Sequence, residues 1–141
     1  MTIPLRPSSG GDEVGPQAPS AYDRMGGHDT FVRLVAAFYR GVAGDEPLRA
    51  LYPEEDLGPA EERLRMFLEQ YFGGPNTYSE QRGHPRLRMR HAPFAVTPTQ
   101  RDRWLTHMLA ACDEVALQEA EDTELRSYLT YAATFMLNAE D

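Results

Sequence analysis

With 41 % hydrophobic and 26 % charged residues, a chain of 141 residues has the length and balance of one globular domain with a real core. Acids outnumber bases 22 to 14, and the resulting net charge of −8 argues against nucleic acid or an anionic membrane as the main partner. All 14 bases are arginine, which excludes a Schiff-base or P-loop lysine, while the single Cys112 excludes an internal disulfide and suits a reducing cytoplasmic setting.

Residues 1–21 hold Pro4, Pro7, Pro16 and Pro19 among glycines and serines, with no apolar run of the kind a signal peptide needs. Such a segment buries too little to offset its chain entropy, so 1–21 is predicted as a disordered tail and 22–141 as the folded domain. A first helix is expected from a cap at Asp29 or Thr30, with Phe31, Leu34, Val35, Phe38 and Val42 spaced i, i+3, i+4. A short turn follows at Pro47–Leu51. Pro59 opens a longer helix with Ala60, Leu64, Phe67, Leu68 and Tyr71 on one face, ended by Gly73, Gly74 and Pro75. Residues 75–96 lack a period and predict loop, with one short helix near Leu87–His91. Thr97, Pro98 and Gln100 form a capping-box pattern for a helix running to about Leu117, with Trp104, Leu105, Met108, Cys112 and Val115 inward. The last helix is expected from about Thr123 to Leu137. No alternating strand pattern appears, so the fold class is all-α.

Charge is unevenly placed. Between Arg82 and Arg103 six arginines face one acid, a +5 island in a chain that carries −13 elsewhere. Guanidinium forks suit carboxylates and phosphates, so the island predicts a small anionic ligand; pairing with acids elsewhere on the surface is the plainer alternative. His84 and His91 lie inside it, with no second histidine or cysteine at zinc spacing. One histidine suffices for a metal that brings its own nitrogens, as haem iron does, and His91, with Leu87 four residues before it, is the better candidate. Tyr39, Tyr52 and Trp104 are aromatic groups with polar ends that need partners when buried. Cys112, on an apolar helix face, reads as inert packing, and Met89 is discounted as a metal ligand.

These residues also form a pattern. Tyr22 and Asp23 with Gly26 and Gly27, then Phe38 and Tyr39, Leu51 to Glu54, Ala60 to Leu68, Gly73 to Pro75, the run from Gly83 to His91, and Trp104 together resemble the group II truncated haemoglobins over 22–138. The resemblance implies a truncated globin, a 2-over-2 helical sandwich enclosing haem b. It makes His91 the iron ligand and Tyr39, Tyr52 and Trp104 the polar residues on the opposite side. Ala60 stands where ordinary globins often carry a histidine, and Leu64, Phe67 and Leu68 match the wall. Arg63, Tyr78, Arg82, His84 and Arg88 match the region that meets the haem propionates. Phe72 departs from the family, which often has tryptophan there.

The function so implied is binding of O2, with NO, CO and peroxide as further ligands, in a pocket whose donors slow O2 release. That suits oxidation of NO or peroxide chemistry, with electrons from an external reductase, better than bulk oxygen transport. A non-catalytic oxygen binding, storage or sensing protein uses the same pocket, and a haem-free helical interaction module is the remaining alternative. Association into a homo-oligomer stays open.

Overall fold

A computed structural model describes residues 18–141, and its first element is set by a capping serine. Ser20 accepts the Asp23 amide at 3.1 Å and starts α1 (Ala21–Arg24). Ala21, the last residue of the predicted tail 1–21, is fully buried and belongs to the fold; residues 1–17 of that tail lie outside the described residues. The other helices are α2 (His28–Ala43), α3 (Glu46–Arg49), α4 (Gly58–Tyr71), α5 (Thr77–Arg82), α6 (Leu87–His91), α7 (Pro98–Val115) and α8 (Glu119–Phe135). No strand occurs among the described residues, and none of their helices is long and apolar enough to cross a membrane.

The expected apolar stripes become the core. On α2, Phe31, Leu34, Val35, Phe38 and Val42 are fully buried, each large side chain contributing about 1.5–3 kcal/mol. This face packs on α7 and α4, while α7 packs on α8, giving two helix pairs joined through α2 and α7. Met108, Cys112 and Val115 of α7 are buried as expected, whereas Trp104 and Leu105 are half-buried. Phe72 is fully buried against Phe31, Tyr71 and Tyr128, so the departure from tryptophan is accommodated by an aromatic cluster.

Several boundaries differ from expectation for identifiable reasons. α2 starts at His28 because Gly27, at φ 69°, turns the chain one residue before it. Thr30 does not cap; its hydroxyl donates to the Met25 carbonyl at 2.8 Å. The short turn is α3, capped by Asp45, whose Oδ1 accepts the Leu48 amide at 3.3 Å. α5 lies where loop was expected. It buries only Tyr78 and is held by Gln70, which accepts the Ser79 amide at 2.9 Å and donates to the Ser79 hydroxyl at 2.7 Å. α7 starts at the predicted cap, where Thr97 accepts the Gln100 amide at 3.1 Å, but it ends earlier, at Ala116 in the left-handed region (φ 52°). α8 starts four residues before the expected Thr123 and carries Glu119, Glu121 and Asp122 in its first turn, where acids favour the helix dipole.

Candidate functional site

A cavity of about 480 Å³ opens between the α2–α4 layer and α6–α8, within the range that small-molecule and cofactor sites occupy. Its walls gather most of the residues singled out in the sequence. His91 ends α6, a one-turn helix entered through Arg86 in left-handed backbone (φ 45°) after buried Pro85. The i−4 spacing sets the ring: His91 Nδ1 lies 2.7 Å from the Leu87 carbonyl oxygen. A carbonyl can only accept, so Nδ1 carries the proton and Nε2 keeps its lone pair. Such a second-shell bond fixes the tautomer and raises the basicity of a ligating imidazole.

Tyr39 from α2, Tyr52 from the loop after α3, and Trp104 from α7 also line the cavity. The Tyr39 and Tyr52 rings meet edge to face at 5.7 Å, and Phe38 packs against both Tyr39 (4.9 Å) and Trp104 (5.1 Å). The Tyr39 hydroxyl donates to the Ala60 carbonyl in a long bond of 3.5 Å. Tyr39 and Trp104 are the polar neighbours of the Tyr52 hydroxyl, and an indole N–H can only donate. Burial first, then the Tyr52 neighbour, pushes the Tyr39 hydroxyl above the ordinary phenol value; burial likewise raises Tyr52. Both therefore stay protonated at neutral pH. Arg49 positions the Tyr52 loop by donating to the carbonyls of Tyr52 (3.0 Å), Glu54 (2.6 Å) and Glu55 (2.8 Å).

Ala60, Leu64, Phe67 and Leu68 of α4, with Tyr78 of α5, also line the cavity. Ala60 leaves the space a larger side chain would fill. Arg63 also lines the cavity, and its guanidinium pairs with Glu54 at 2.6 and 3.4 Å.

The arginine island divides. Arg82 lines the cavity together with Arg90 and Arg101, two residues the sequence reading did not single out. Arg90 donates to the carbonyls of Pro85 (2.6 Å) and Arg82 (2.9 Å), and both Arg82 and Arg90 lie over the Tyr78 ring at 5.8 and 5.9 Å. His84 and Arg88 are not on the cavity wall. His84 Nδ1 accepts the Arg86 amide at 3.1 Å within the turn that enters α6. Arg88 points to the end of α8 and donates to the carbonyls of Phe135 (2.7 Å) and Leu137 (3.1 Å). Met89, discounted as a ligand, is 58 % exposed. The signal for Arg90 was adjacency to His91. For Arg101 only membership of the island pointed there.

Two buried polar atoms bear on what the cavity holds. The Tyr128 hydroxyl and Gln100 Oε1 have no protein partner, and both residues line the cavity. Buried polar atoms are nearly always satisfied, so an occupant of the cavity is their expected partner. Among the described residues no three His, Cys, Asp or Glu side chains gather as a cage for a metal ion. One imidazole with a free Nε2, apolar walls, and arginines at hand fit haem, which supplies four nitrogens of its own and two carboxylates.

Known proteins resemble this chain in both sequence and fold. The family model of bacterial-like globins matches residues 20–138. Group 2 truncated hemoglobin YjbI of Bacillus subtilis is 39 % identical over 131 residues, covering 91 % of this chain and 98 % of that protein. The X-ray structure of a thermostable hemoglobin from Thermobifida fusca is 60 % identical with a TM-score of 0.84, covering 85 % of this chain and 98 % of that one. A truncated oxygen-avid haemoglobin from Bacillus subtilis is 37 % identical with a TM-score of 0.80, over 85 % of this chain and all (100 %) of the other.

Proposed function

The chain belongs to the bacterial-like globin family and, within it, to the group II truncated haemoglobins, a membership that implies haem-based oxygen binding, and from that premise we propose that it carries haem b on His91 and retains O2 through a Tyr39–Tyr52–Trp104 donor group. The observation that carries this reading is the gathering of Tyr39, Tyr52 and Trp104 on the wall of the cavity that His91 also lines. In this reading the Tyr52 oxygen accepts from Tyr39 and Trp104, which leaves the Tyr52 proton to be offered to a polar diatomic ligand.

A bound haem would supply an iron that takes such a ligand and exchanges electrons with NO, peroxide or a separate reductase. Everything else falls to the protein. His91 presents Nε2 because Leu87 holds the Nδ1 proton. In this reading Tyr39 and Trp104 orient the Tyr52 hydroxyl, and hydrogen bonds in such a chain polarise one another in a low-dielectric site. Leu64, Phe67 and Leu68 exclude bulk water from the same space. Arg82 offers a fork for a carboxylate, while Arg63 is shared with Glu54 and Arg101 with Asp102 (2.7 Å) and Thr134 (3.2 Å).

A hydrogen bond to a ligand that gains negative charge is worth about 1.5–3 kcal/mol, or roughly 10–150-fold in release rate. Slow release favours reaction of the retained O2 over its delivery. The oxygen-avid relative from Bacillus subtilis supports this reading. Stopped-flow O2 release from Tyr52→Phe and Trp104→Phe tests it. Release should be faster by at least about 10-fold in Tyr52→Phe. Unchanged rates in both variants contradict the donor group.

A further inference from the structure

We propose that Asn138, just beyond the end of α8, is a positioning residue for His91 that acts through the backbone of residues 91–96. The proposal rests on the reading of His91 as the iron ligand. α6 has five residues, none of them buried, and no side-chain cap. Apart from the Arg90 bonds to the Pro85 and Arg82 carbonyls, its own sequence supplies little that fixes the axis on which the His91 ring sits.

The chain end provides what α6 lacks. Asn138 Nδ2 donates to the His91 carbonyl at 3.2 Å and to the Phe94 carbonyl at 2.9 Å. Oδ1 of the same side chain accepts the Val96 amide at 2.8 Å, and the Asn138 amide donates to the Val96 carbonyl at 3.1 Å. One carboxamide thus uses both donor hydrogens and its acceptor on a single six-residue stretch, a combination that neither aspartate nor leucine can reproduce. A second tie runs the opposite way. Arg88, three residues before His91, donates to the Phe135 and Leu137 carbonyls, so a cation sits at the carbonyl end of α8 where it complements the helix dipole. The two ties clamp α6 to the strap formed by residues 135–138.

The His91 ring is held by the Leu87 carbonyl within the same short helix, so ring and helix move together. Loosening the strap tilts both. Asn138 is exposed and its side chain bonds to residues 91–96, so its loss changes the setting of His91 more than it changes global stability.

The test uses the haem-loaded protein with Asn138→Ala and, as a control elsewhere on α8, Arg126→Ala. The control removes ion pairs to Asp113 (2.6 Å) and Asp122 (2.8 Å) without touching the strap. Resonance Raman of the ferrous, ligand-free state reads the iron–histidine stretch, and transfer to excess apomyoglobin reads haem loss. Asn138→Ala should shift or broaden the stretch and speed haem loss by about 10-fold, the lower end of outer-shell effects at metal sites. Arg126→Ala should do neither. An unchanged band and unchanged loss rate in Asn138→Ala overturn the proposal, as does an equal change in the control. In the haem-free protein, hydrogen exchange at the Val96 amide should quicken in Asn138→Ala alone; equal exchange in both variants overturns the strap independently of haem. A wild-type protein with no iron–histidine band instead overturns the assignment of His91 itself.

Discussion

In the proposed arrangement Tyr52 accepts from Tyr39 and Trp104, so replacing it by phenylalanine removes one oxygen but disturbs two donors, and that asymmetry gives a sharp prediction. In Tyr39→Phe the Tyr52 oxygen loses one partner and keeps Trp104, a cost of about 0.5–1.5 kcal/mol. In Tyr52→Phe both the Tyr39 hydroxyl and the Trp104 N–H lose that acceptor, and each stranded donor costs about 1–3 kcal/mol. The Ala60 carbonyl, 3.5 Å from the Tyr39 hydroxyl, accepts only a long bond and offsets little of this. The double variant strands only Trp104, so adding Tyr39→Phe to Tyr52→Phe should be close to neutral. Urea unfolding of wild type, both single variants and the double variant, followed by far-UV circular dichroism, completes the cycle. A coupling energy of about 1 kcal/mol or more is expected. Additive losses, or a larger loss in Tyr39→Phe than in Tyr52→Phe, would refute Tyr52 as the hub.

Asp45 joins α3 to α7 through Arg103 (2.9 Å) and His107 (2.8 Å). The His107 hydrogen bond, with help from the Leu48 amide and Arg103, outweighs burial and holds the Asp45 carboxyl below the usual carboxylate range. A depressed pKa means that its stabilisation is present above the unfolded value of about 3.9 and disappears as pH falls through the lower folded value. Asp45→Asn should therefore unfold at lower urea than wild type near neutral pH, and the gap should close in acid; a gap independent of pH would contradict this. Cys112 is fully buried and burial pushes its thiol up to about 12, so it should resist thiol reagents in the native protein and react once unfolded. Fast labelling of the folded protein would show that α7 opens there.

Long apolar stripes made α2, α4, α7 and α8 legible in the sequence, because Phe31 to Val42 or Leu125 to Met136 can be buried only in helical register. α5 was not legible, since its six residues bury one side chain and depend on Gln70 from another helix. At the site, the i−4 relation of Leu87 and His91 was local and readable. Tyr39, Tyr52 and Trp104 were named together through family resemblance, but that they meet on one cavity wall is a tertiary fact that spacing does not encode. The same limit separated Arg88 and His84 from the cavity. Their neighbours in sequence line it, while their own directions follow from the α8 carbonyls and from the turn before α6. Asn138 carried no sequence signal, because its partners lie more than forty residues away.

The most direct test of the account is haem titration of the purified protein beside His91→Gly, read by the ferrous absorption spectrum with and without added imidazole. Wild type should take up one haem per chain and give a five-coordinate ferrous spectrum that changes with CO. His91→Gly should lose that spectrum and regain it when imidazole fills the space left by the side chain. Haem uptake with the same spectrum in His91→Gly without imidazole, or no uptake by the wild type, would contradict the assignment of the cavity and of His91.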